Sequence, residues 1–297
     1  MMDEYRERNG RSWNRWILAS LLLASPVAAQ TPDELVERGA RAGADAELLV
    51  ELRDRALGRG LDQAATAALL TPAVTLAERG LPARMLAHKA LEGLAKGVPP
   101  ERIAELLGRL RLDVERAGEV VDPWLASDAS GSVAPAAAAG GQGRGVRSIL
   151  IESAALGLSH GAPETVIREI LSRVPGALGG RTVGAVELGA GIEVTPQLPV
   201  VDRDPAMTAE LVVSALASGF DAAQLRELPA ALRAAERRGQ LTAEVVARGA
   251  MAQFRELPAV TVLRNLFQGE FPGNVPFDLP PGLENARGKG GPPPPPK

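Results

Sequence analysis

The chain has 297 residues, of which 45% are hydrophobic, 23% charged and 3% aromatic, with a net charge of −3 and no cysteine. Near-balanced charge argues against a nucleic-acid binder, which needs a strongly basic face; zero cysteine excludes disulfides, thiol catalysis, iron–sulfur clusters, cysteine zinc sites and a lipoprotein anchor. Apolar content carried by Ala, Leu and Val, with almost no aromatics, favours close-packed helices over a β-sandwich.

Residues 1–29 read as a secretory leader. A polar start with Arg6, Arg8, Arg11 and Arg15 precedes the short apolar run Trp16 to Ala29, which closes in Val27-Ala28-Ala29 before Gln30. A charged start, a short apolar core and a small-residue exit make a signal peptide. As a helix the run reaches only about 21 Å, short of a ~30 Å hydrocarbon core. The expectation is cleavage after Ala29 and an exported protein, periplasmic or secreted, with no membrane span once the leader is gone. Lack of cysteine suits that oxidising setting.

The segment 30–122 reads as a first cluster of helical hairpins. Gly recurs there, followed by a small or apolar residue and then Asp or Pro: Gly43-Ala-Asp45, Gly60-Leu-Asp62, Gly80-Leu-Pro82 and Gly97-Val-Pro99. Such a triplet ends one helix on a left-handed Gly and starts the next with a capping Asp or an opening Pro. The triplets recur every 17–20 residues, one helix plus a tight turn, and Gly161-Ala-Pro163 and Gly219-Phe-Asp221 extend the series. Two steps make a helical hairpin of repeat-protein length.

Two internal matches support duplication. The stretch from Leu86 to Arg109 matches that from Leu150 to Arg173 at a constant offset of 64, sharing Ala90/Ala154, Gly93/Gly157, Leu94/Leu158, Pro99/Pro163, Ile103/Ile167 and Leu107/Leu171. Gly60 to Gly80 likewise matches Gly219 to Gly239, each with a mid-segment Pro-Ala. Ile103, Leu106, Leu107, Leu110 and Val114 form one predicted apolar stripe, and Val166, Ile167, Ile170, Leu171 and Val174 form its counterpart.

Residues 123–146 read as a low-complexity linker. Residues 147–268 read as a second helical cluster, interrupted at 181–204 by a non-helical excursion in which Val, Ile and Leu alternate with Gly and Pro. From 269 to 297 Pro and Gly dominate, which points to a disordered tail. The fold class is therefore all-α: duplicated helical hairpins in two clusters, a linker and a tail.

Chemistry-bearing motifs are sparse. His88 and His160 are the only histidines, and neither has a partner at metal-ligand spacing, so no metal or cofactor site is assigned. Ser153, Ser159 and Ser172 lie in helical contexts, and no Gly-x-Ser-x-Gly elbow occurs. Carboxylates such as Glu47, Glu51, Glu101, Glu105, Glu164, Glu169, Glu210 and Glu244 read mostly as solvated ion pairs, Glu105 with Arg109 being one. Gly140 to Gly145 lacks the Lys-Ser/Thr of a phosphate loop and reads as linker, and Pro292–Pro296 as a spacer. No catalytic residue is assigned.

The expected function is that of an exported, non-catalytic binding or scaffold protein of a bacterial-type cell envelope. Its protein partner is expected on the helices at 81–118 and 148–174. The alternatives are an envelope enzyme with paired carboxylates, or a structural spacer without a specific ligand. A concave, non-repeating polar surface across the hairpins would favour binding; two converging buried carboxylates would favour an enzyme.

Overall fold

The computed structural model describes residues 30–134, 145–202 and 204–270. The expected leader, residues 135–144 of the expected linker and the expected tail from 271 lie outside them. Twelve α-helices follow one another in the described residues: α1 Pro32–Arg41, α2 Ala46–Gly58, α3 Gln63–Glu78, α4 Arg84–Ala95, α5 Pro100–Leu125, α6 Val146–Ser159, α7 Glu164–Leu178, α8 Ala185–Val194, α9 Pro205–Ala217, α10 Ala222–Gly239, α11 Ala243–Phe254 and α12 Ala259–Gln268. The all-α class holds.

Local chemistry sets these boundaries. Gly43 and Gly161 end their helices at φ 90° and 94°, and Gly60, Gly80, Gly97 and Gly219 share the positive sign. A side chain is disfavoured in that left-handed region, so Gly is the residue that stops a helix most cheaply there. The carboxylates of Asp45, Asp62 and Asp221 then accept from the backbone N–H groups of Leu48, Ala65 and Gln224, satisfying donors that a helix start leaves open.

Packing arranges the helices in a row. In the order α1, α3, α5, α6, α8, α10, α12, each lies against the next. The row contains one reversal. Arg147, near the start of α6, bonds Asp122, near the end of α5, so these two neighbours run antiparallel. Helices α2 and α4 cover α1, α3 and α5, whereas α7, α9 and α11 form a second cover over the later helices. The covers lie on opposite faces. On α5, Ile103 meets Gly93 of α4 and Arg116 meets Glu164 of α7. Those positions are thirteen residues apart, about 220° of helical rotation.

Residues from both expected clusters share one apolar core, running from Leu35 to Leu266. The two ends of the expected linker are structured, and its middle lies outside the described residues. Residues 123–125 complete α5, Asp128–Ser132 form a 3-10 turn, and Val133–Ala134 (β1) pairs in parallel with Val183–Gly184 (β2).

The expected non-helical excursion at 181–204 is corrected by α8. Leu188, Gly189, Ala190, Gly191, Ile192 and Val194 are all buried, so this helix has no polar face to produce a 3.6-residue period. Its glycines serve close approach: a Cβ at Gly191 would sit 2.8 Å from a Val212 methyl. A second correction concerns Leu106, which is 47% exposed, while Ile103, Leu107, Leu110 and Val114 are buried as the stripe requires.

Candidate functional site

The reversal between α5 and α6 creates a step. Helix α4 is the last helix of the first cover, and on that side nothing described follows it over α6 and α8. Two open hollows of about 670 and 480 Å³ lie along the step. They share Arg84 of α4 and Glu152 of α6, so they form one groove.

The groove walls are formed by stretches that correspond in sequence at the offset of 64. Arg84, His88 and Glu92 recur at i, i+4 and i+8 along α4, and so share one helical face. At the offset of 64 their counterparts are Ser148, Glu152 and Leu156 of α6, which line the opposite wall. Apolar positions on the same helices are matched: Leu86/Leu150, Ala90/Ala154 and Leu94/Leu158 are all buried. The buried pair Ala87/Ile151 differs, and so do all three groove pairs.

Electrostatically the groove is a mosaic. Glu92 accepts from Lys89 Nζ at 2.8 Å and Lys96 Nζ at 2.6 Å, and these hydrogen bonds hold its carboxyl down at about 2. Arg84 Nε donates to His88 Nε2 at 3.2 Å, so that ring nitrogen is an acceptor. Glu193 of α8 closes the far edge, 3.5 Å from Arg226 of α10. His160 caps the end of α6 and faces the same hollow as His88. The fold thus brings together two histidines that sequence spacing kept apart. No three His, Asp or Glu side chains converge on a metal-sized centre among the described residues.

Comparison with protein-family models, with curated proteins and with solved structures finds no match to this chain. Its function has to be read from the surface itself.

A shallower hollow of about 490 Å³ lies along the other side of α5, lined by Arg109, Leu112, Asp113, Glu115, Arg116 and Glu119. Burial raises the Asp113 carboxyl, and Arg116 at 3.8 Å opposes the rise. Glu115 is occupied by Arg79 at 2.8 Å and by Arg111. The expected carboxylates Glu105, Glu164 and Glu169 stand in ion pairs with Arg109, Arg168 and Arg173, each one turn along its own helix. Arg84, Glu152 and Glu193 belong to the groove although sequence reasoning did not select them. The signal available in the sequence was the polar face of α4, where Arg84, His88 and Glu92 recur at helical spacing.

Proposed function

We propose that this chain is an exported, non-catalytic binding protein of a bacterial-type cell envelope, and that it takes a protein partner in the groove between α4 and α6–α8. The observation that carries this reading is a groove whose two walls carry different side chains at 84/148, 88/152 and 92/156, and so present a non-repeating surface. Helical arrays use such one-sided, non-repeating surfaces for recognition. A mosaic of Arg84, His88, Lys89, Glu92 and Glu152 around Leu156 supplies directional contacts with an apolar centre, the usual anatomy of a protein-binding patch. The ionised, paired state of Glu92 suits a contact residue better than a general acid.

The absence of native cysteine makes the test direct. Single cysteines at Lys89 and Leu156, coupled to a photo-crosslinker, should capture one partner from the native envelope. A cysteine at Gln63, an exposed position on α3, should not. Capture only from positions beyond 271, or a hydrolytic activity abolished by one Glu→Gln change, would replace this reading with another.

A further inference from the structure

We infer that the exposed face of α10 and α12 is a docking surface for an anionic phospholipid bilayer, adjoining the groove at the Arg226–Glu193 contact. The argument begins with charge. Between residues 222 and 268 there are seven arginines and four glutamates, in a chain that is acidic as a whole.

Most arginines of α1–α7 are engaged. Arg38 pairs with Glu78, Arg53 with Asp33, Arg111 with Glu115, Arg147 with Asp122 and Arg173 with Glu169. In the C-terminal helices, Arg233, Arg237 and Arg264 form no ion pair with any described residue. Arg226 has only the 3.5 Å contact with Glu193.

These cations are aligned. Arg226, Ala230, Arg233 and Arg237 recur at i, i+4, i+7 and i+11 of α10, and all four are exposed. On α12 the same spacing carries Val260, Arg264 and Phe267, with Val260 57% and Phe267 38% exposed. On α10 the stripe lies opposite the buried Leu228, Leu232 and Ala235, and on α12 it turns away from the cover. Asn265 of α12 bonds Gln253 of α11, and Phe267, two residues on, lies about 200° around the helix. The contact between Gly269 and Arg238 places the ends of α10 and α12 side by side, so the stripes are neighbours.

The chemistry selects the occupant. Guanidinium groups match phosphate oxygens in bidentate geometry. Exposed apolar side chains set among them can enter the headgroup boundary while the cations stay at its surface. None of the hollows described above is lined by Arg233, Arg237 or Arg264. A lipid surface presents many phosphates in one plane and needs no recess. Each basic residue near an anionic leaflet adds to the attraction, which salt screens.

The test is co-sedimentation of the 30–297 chain with vesicles of phosphatidylcholine alone or with about one third phosphatidylglycerol. Binding should appear with phosphatidylglycerol only and weaken as salt rises. The Arg233→Gln/Arg237→Gln pair should lower the partition coefficient about tenfold or more. The Arg109→Gln/Arg168→Gln pair removes equal charge elsewhere on the surface and should change it less than about twofold. With these vesicles a Phe267→Trp variant should show a blue-shifted emission component that the parent lacks. No binding to either vesicle, equal binding to both, equal loss in the two double variants, or retention by duplex DNA or polyglutamate but not by vesicles would each overturn the proposal.

Discussion

The helix pair α4–α5 and its sequence match α6–α7 share a Gly-x-Pro turn, several buried aliphatic residues and a close-approach glycine, yet only the first pair packs as a hairpin. In the first copy the leading helix, α4, lies in a cover and the second, α5, lies in the central row. In the second copy α6 is in the row and α7 is in a cover. The same local residues therefore support two tertiary roles. The difference is written only in what surrounds them. Gly93 faces the flexible side chain of Ile103 within its own hairpin, whereas Gly157 faces the backbone carbonyl of Ile192 on α8.

The strongest test asks whether the shared core is energetically equivalent. Ile103 and Ile167 are both essentially buried. Truncating either to Ala should cost about 2–5 kcal/mol in denaturant unfolding, with the two values close to each other. Costs differing by more than about 2 kcal/mol would mean that the copies are similar in sequence but not in packing.

The glycines should then separate what the isoleucines leave equal. A Cβ at Gly93 would sit 2.9 Å from both Cδ1 and Cγ1 of Ile103, a side chain that can change rotamer, whereas at Gly157 it would sit 3.1 Å from backbone that cannot. Gly157→Leu should cost about 3 kcal/mol and Gly93→Leu nearer 1. Equal melting temperatures for the two variants would contradict the exchange of layers.

A smaller effect is expected where the copies meet. Arg147 donates to Asp122 at 2.7 and 2.9 Å and to the Gly80 carbonyl at 2.6 Å, and the Asp122 carboxylate raises its already high pKa. Both partners are about two-fifths exposed, so solvent screening keeps the loss in Arg147→Met to about 1 kcal/mol or less. Arg168→Met, which removes an exposed pair within one helix, should shift the melt less.

The smallest effect lies in pH. Glu92 is held at about 2 against an ordinary 4.5 by Lys89 and Lys96, whereas its counterpart Leu156 does not titrate. A depressed carboxyl contributes stability above its unfolded pKa and loses it as pH falls through the folded one. The melting difference between parent and Glu92→Gln should therefore be steady at pH 6 and shrink between about pH 4.5 and 2. A constant difference down to pH 2 would show that the lysines do not hold this carboxylate in solution.

Helix punctuation was legible because it depends on three consecutive residues. A Gly that must adopt positive φ followed by a capping Asp is recognisable without knowing any neighbour. The layer exchange was not legible, because α4 and α6 carry the same apolar face and only the reversal beside α5 decides what that face meets. Leu106 fits the apolar period, yet no helix covers it. The groove could have been suspected from the polar face of α4 at 84, 88 and 92, but its approach to α6 is purely tertiary.

Arg-Glu-Leu-Pro-Ala occurs twice and shows the same limit. At 226–230 it lies inside α10, with Pro229 buried in the helix. At 255–259 it ends α11 and starts α12, with Pro258 at the cap. There Ser218 Oγ donates to the Phe254 carbonyl at 2.6 Å, satisfying a group that the broken helix leaves open.

The stacking order also governs how the chain acquires its structure. Helices that touch mainly near neighbours along the sequence require few long loop closures, which favours rapid assembly from several starting points. Cooperativity must then pass through the contacts of α5 with α6 and α7, because they join the earlier helices to the later ones. A weakened junction would let one end of the array melt while the other persists, giving a biphasic transition. Trp124, near the end of α5, is the one tryptophan after residue 29, so its emission reports from this junction.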